Sequence, residues 1–146
     1  GSFTIASGTP LTPFVGGSIV DVARGSNGSL RPNFTGQSLY PANLLPGLWF
    51  NPAAFCAPGI GPCPAGYGDA GRNIIIGPGT ILFNMSMAKT IPFKETKSLE
   101  FRLTANNVFN HPNYTGVDMN VNSPTFGYLT SAGTMRQLLF SSRFRF

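Results

Sequence analysis

A chain of 146 residues has the length of one domain, yet only 10 % of its residues are charged, against roughly a quarter in an ordinary soluble domain. With 18 Gly and 13 Pro it is built for turns and loops rather than helices, and no apolar run approaches the ~20 residues that a membrane-crossing helix needs. The net charge of +5 is scattered from Arg24 to Arg145 without a basic stripe or a recognisable module, which argues against nucleic acid as a partner.

The amino end carries neither an initiator Met nor a charged and then hydrophobic signal segment, so Gly1 and Ser2 suggest a processed chain, an excised fragment or a cloning remnant. Residues 1–8 open with a short strand, Phe3 and Ile5 alternating with Ser2, Thr4 and Ala6. From residue 9 to 79, ten prolines and most of the glycines exclude any long regular element. A loop of that length is functional, disordered or packed by its own side chains, and the cluster Leu45, Leu48, Trp49, Phe50 and Phe55 favours packing. Within it Cys56 and Cys63, the only two cysteines, are expected to form a disulfide in an exported setting. A zinc site is disfavoured, because about four ligands are needed and the single histidine, His111, is distant. Gly66, Gly68 and Gly71 match a dinucleotide fingerprint in letters only. Pro62 and Pro64 precede them and no helix pattern follows, so a glycine-rich turn is the better reading.

Three longer alternating runs fill the remainder, residues 80–146. Ile81, Phe83, Met85 and Met87 alternate with Leu82, Asn84, Ser86 and Ala88, and the run is expected to end near Ile91, ahead of Pro92 and a reversal at Lys94, Glu95, Thr96 and Lys97. Leu99, Phe101, Leu103 and Ala105 oppose Glu100, Arg102, Thr104 and Asn106. In the last run Leu138, Phe140, Ser142, Phe144 and Phe146 oppose Gln137, Leu139, Ser141, Arg143 and Arg145. A period of two is the strand signature, and each run is long enough to cross a bilayer as a tilted strand.

No catalytic constellation is visible. The five carboxylates, Asp21, Asp69, Asp118, Glu95 and Glu100, are not spaced as an acid–base pair, and His111 in Asn-His-Pro-Asn has no acidic or nucleophilic neighbour in sequence, so a loop-capping role is expected for it. The sequons at Asn27, Asn33, Asn84 and Asn113 match a short permissive pattern.

Several segments carry a family likeness. Gly71-Arg72-Asn73-Ile74, Gly77-Pro78-Gly79, the strand with Asn84 to Lys89, Glu100-Phe101-Arg102, the run from Asn106 to Asn113, Ser123-Pro124-Thr125-Phe126-Gly127, Thr130-Ser131-Ala132-Gly133, Arg136-Gln137 and Phe146 resemble the C-terminal end of Oar-like TonB-dependent outer-membrane receptors. These carry a carboxypeptidase-regulatory-like domain and are abundant in Acidobacteria. Ser7 to Pro13 is similar to the start of a late extracellular loop of that family. The resemblance implies an outer-membrane barrel segment in which Phe146, with Phe144, Phe140 and Leu138, forms a C-terminal assembly signal. It supplies no plug and no TonB box.

The expected fold is therefore all-β: one domain over 1–146, an antiparallel meander of about four strands and one long Gly/Pro-rich loop, its edges completed by other chains or by missing barrel strands. The leading functional expectation is a non-enzymatic, self-associating subunit of an extracellular or cell-surface filament or ring, paired with copies of itself through strand edges. The alternative is a wall segment of a TonB-dependent receptor in the outer membrane, in contact with lipid and the rest of its barrel. Either way the apolar face comprises Leu99, Phe101, Leu103, Leu138, Phe140, Phe144 and Phe146, and no cofactor or metal is expected.

Overall fold

A computed structural model describes residues 1–16, 30–94 and 97–146. In chain order the elements are β1 (Ser2–Ala6), β2 (Pro10–Leu11), β3 (Asn33–Phe34), a 3-10 turn (Pro52–Ala54), β4 (Phe55–Cys56), β5 (Ile75–Ile76), β6 (Thr80–Lys94), β7 (Lys97–Asn106), β8 (Tyr114–Val117), β9 (Leu129–Ala132) and β10 (Gln137–Arg145). The architecture is all-β and the strand pairings are antiparallel, as the alternating runs require. Where the length suggests one domain, the chain divides into two compact units.

The first unit comprises 1–7, 79–113 and 133–146 and holds a four-stranded sheet in the order β1-β6-β7-β10. β6, β7 and β10 form the expected meander. β6 runs further than its sequence suggests, through Pro92 to Lys94, with a register irregularity between those two residues. A proline lacks the N–H that a central ladder uses, and it is tolerated here because β1 covers only Thr80–Asn84 of that flank, leaving the flank along Met85–Lys94 without a strand partner among the described residues. Both long connections leave from the end of the sheet where Ala6, Thr80, Asn106 and Gln137 lie, and the short reversal lies at the other end.

The second unit comprises 8–78 and 114–132. The stretch expected as one long loop contains four short strands, paired as β2–β5 and β3–β4. The connection after β7, also expected to be a loop, contributes the β8–β9 hairpin. These strands are short because prolines and glycines interrupt them, so side-chain packing must hold the unit together. Its core is a triangle of edge-to-face rings: Phe50, Phe55 and Phe126, with centroids 5.2–6.0 Å apart. Ala54, Ala70 and Ile75 fill the space around them. Of the aromatic cluster read from sequence, Phe50 and Phe55 are core, Trp49 packs against it and Leu45 is exposed. Trp49 Nε1 donates to the Ile76 carbonyl at 2.7 Å while its ring packs against the core, and the hydroxyl of the exposed Tyr40 accepts from Ile76 N–H at 3.0 Å. Gly68 is required: a Cβ there would overlap the Arg31 and Pro32 carbonyls, where Ala70 N–H bonds the Pro32 carbonyl.

Candidate functional site

The sheet of the first unit is the feature with chemical character. Residues facing each other across an antiparallel ladder share a face. The register sets Phe3 against Phe83 and Ile5 against Ile81, then Met85, Ala105 and Leu138 in one row, Met87, Leu103 and Phe140 in the next, and Ile91, Leu99 and Phe144 in a fourth. Between the last two lies a mixed row of Lys89, Phe101 and Ser142. The opposite face carries Ser86, Thr104 and Leu139, then Ala88, Arg102 and Ser141, then Thr90, Glu100 and Arg143, then Pro92, Ser98 and Arg145. One face is thus almost wholly apolar, and the other carries hydroxyls, an amide-rich end and an ion pair between Arg102 Nη2 and Glu100 Oε1 at 2.9 Å.

Neither face is covered by the rest of its unit. Phe140 is 66 % exposed, Leu138, Leu103 and Phe144 are exposed as well, and Phe146, just past the end of β10, is 91 % exposed. Leu99 and Phe101 are half-buried, Phe101 by stacking on Phe140 with centroids 5.9 Å apart. Phe144 stacks on Phe146 at 6.2 Å. The seven apolar residues singled out from sequence all lie in this unit, and the six within strands share one face. The register adds Met85, Met87 and Ile91 of β6 to that face, three residues outside the set singled out from sequence.

The long-loop end of the sheet is closed by asparagines. Asn107, in the left-handed region at φ 50°, is buried; its Nδ2 donates to the carbonyls of His111 and Thr134, and its Oδ1 accepts from His111 N–H at 3.0 Å. Asn84 Oδ1 accepts from Asn107 N–H, Asn113 Oδ1 from Ile81 N–H and Asn110 Oδ1 from Arg136 N–H, so each serves a backbone donor at the end of the sheet. This explains the Asn-Asn-Val-Phe-Asn-His-Pro-Asn run: the amides do the capping, whereas His111 is used through its backbone. Asn33 and Asn113 are buried and hydrogen-bonded, which disfavours glycosylation at those sequons; Asn27 lies outside the described residues, as do Asp21 and Glu95.

In the second unit Cys56 and Cys63 form the disulfide, with Cα atoms 6.2 Å apart. Gly66, Gly68 and Gly71 lie in irregular chain that leads into no helix. Asp118 is the centre of a turn: its Oδ1 accepts from Asn120 N–H at 3.0 Å and its Oδ2 from Thr125 Oγ1 at 2.7 Å. Burial opposes its charge, but hydrogen bonds from Ser123, Asn120 N–H and Thr125 outweigh it and hold the carboxyl below the usual aspartate range. No cluster of three or more His, Cys, Asp and Glu side chains suited to a metal occurs among the described residues.

No curated protein and no solved structure matches the chain significantly. Residues 1–138, however, match the protein family described as outer membrane beta barrel domain. That assignment gives the two-faced sheet an environment: a barrel wall alternates lipid-facing apolar residues with polar residues facing the lumen. The chain therefore belongs to the outer membrane β-barrel family.

Proposed function

We propose that the first unit is a wall section of a TonB-dependent, Oar-like receptor barrel, with the Met85–Ile91, Leu99–Ala105 and Leu138–Phe144 apolar positions facing lipid and the Glu100, Arg102, Arg143 and Arg145 side facing the lumen. The observation that carries this is the register, which gathers apolar side chains from four strands on one uncovered face. Strand length agrees: the ten residues of β7 at ~3.3 Å each and a tilt of ~45° rise about 23 Å, close to the ~25 Å apolar band of a barrel. Four strands do not close a barrel, for which about eight is the working minimum, so the outer edges of β1 and β10 take further strands.

The receptor assignment rests on the sequence likeness, and the wall assignment on register and family. The wall has no catalytic role in this reading, its partners being outer-membrane lipid and neighbouring barrel strands. Short reversals on the periplasmic side and long loops outside are the barrel convention, which puts the Lys94–Lys97 end and Phe146 toward the periplasm. Strand edges paired with copies of the chain in a filament are the competing arrangement, and the family match favours the barrel.

A pair of spin labels decides the matter. Nitroxides placed by Leu103→Cys and Thr104→Cys in the full-length protein, reconstituted in lipid, are expected to report opposite environments, position 103 accessible to oxygen and position 104 to a water-soluble nickel relaxant. Equal water access at both positions, or burial of both with detergent-free filaments in the microscope, overturns the wall.

A further inference from the structure

The second unit contains a cavity of about 670 Å³, within the range of small-molecule sites, whose walls belong to that unit alone. Its apolar side is formed by Phe34 and Phe55, ring centroids 5.8 Å apart, and by the Cys56–Cys63 disulfide. Tyr67 lines it while 76 % exposed, a large aromatic surface that contributes nothing to the core. The polar side is supplied by Gln37 and Asp69, together with Asn33 and Thr35, whose side chains donate to the Pro64 and Ala53 carbonyls. Asp69 Oδ1 accepts from Phe34 N–H at 2.7 Å, which fixes the carboxylate beside the aromatic wall. In a chain with ten basic side chains and five acidic ones, this lining holds one carboxylate and no base. A second cavity of about 790 Å³ in the same unit has no charged side chain in its lining.

We propose that the Phe34–Tyr67–Asp69 cleft binds a small organic cation, an ammonium group carried on an apolar body. Rings attract a cation through their quadrupole, and a fixed carboxylate adds a counter-charge; together they discriminate against anions, which the surplus of bases elsewhere would attract. The disulfide holds the wall in place, since Cys56 belongs to β4 and Cys63 to the irregular segment that follows it. This site is independent of the wall reading, and neither depends on the other.

Choline and its uncharged isostere 3,3-dimethylbutan-1-ol, titrated calorimetrically into the full-length protein in a nonionic detergent, test it. Choline is expected to bind at least about tenfold more tightly than the isostere. Asp69→Asn, which keeps an oxygen to accept from Phe34 N–H, should sharply reduce that preference, and Tyr67→Ala should weaken choline. Asp118→Asn, which removes a carboxylate of the same unit outside the cleft, should leave choline binding unchanged. Equal affinity for the two probes, no binding of choline, or an unaltered preference in Asp69→Asn overturns the proposal, as does maltotriose binding that Asp69→Asn removes, which would make the cleft a saccharide site.

Discussion

Phenylalanine is used in two opposite ways in this chain. In the second unit Phe50 is wholly buried against Phe55 and Phe126, whereas in the first unit Phe140 stands two-thirds exposed on a sheet face with nothing of its own unit above it. A folded chain in water does not gather so many large apolar side chains on an uncovered surface without a partner. The difference teaches that the two units meet their apolar side chains differently: one carries its own core, and the other leaves its apolar face to a partner from outside its unit.

That contrast is broken most severely from the inside. Phe50→Ala removes the central ring of the second unit's core and should cost about 3–5 kcal/mol of that unit's stability. Limited proteolysis of the full-length protein should then cut within residues 30–78, while the sheet still assembles in the outer membrane. Loss of both at once would show that the sheet depends on the loop unit.

On the sheet the same logic runs by face. On the proposed wall reading, Phe140→Arg places a cation on the lipid side and should cost about 2–4 kcal/mol near the bilayer midplane. Leu139→Arg, one residue away on the polar face, should cost far less. Heat-modified gel mobility of the membrane fraction reads both, and equal damage from the two would remove the distinction between faces. Lys89, opposite Phe101 on the apolar face, is the position where this rule is strained; its long stem allows the ammonium to reach toward the polar boundary while its methylenes stay in apolar surroundings.

Removing the disulfide by Cys56→Ser with Cys63→Ser is smaller in effect, since the closed loop is short. About 2 kcal/mol or less is expected, because two prolines already restrict the unfolded loop. Faster proteolysis near residues 57–62 checks it, and identical protease resistance with and without reductant in the parent protein would count against any contribution.

How much of this was legible depends on the distance over which each signal acts. Alternation along β7 and β10 is local, so their faces could be read directly from Leu99 to Ala105 and from Leu138 to Phe144. The end of β6 was misplaced because Pro92 is a local stop signal that an open strand edge overrides. The second unit was legible as a disulfide and part of an aromatic cluster: its third ring, Phe126, lies more than seventy residues beyond Phe55, and nothing in a single sequence announces that pairing. The asparagine run was visible as a motif, but the side-chain amides rather than His111 carry its capping role, and their backbone partners at Ile81 and Arg136 are set by the sheet. Of the cleft beside Asp69 the sequence signalled only the cysteine pair, because its walls come from β3, β4, the 3-10 turn and two irregular segments.

The smallest effect expected is electrostatic and separates the units again. Asp118 belongs to the second unit, and its folded pKa lies below its unfolded value because the hydrogen bonds of its turn favour the carboxylate over the opposing effect of burial. A depressed pKa contributes stability that is complete above the unfolded value of about 4 and disappears as the pH falls through the folded value. Acidification below about pH 4 should therefore loosen the second unit, and Asp118→Asn, which retains an oxygen acceptor but cannot titrate, should flatten that part of the profile. Hydrogen exchange at Asn120 and Gly127 is the readout, because Asn120 N–H bonds the Asp118 carboxylate directly and Gly127 N–H bonds the Asp118 carbonyl. Protection of these two amides that does not change with pH in the parent protein would show that the turn is held by its backbone bonds alone.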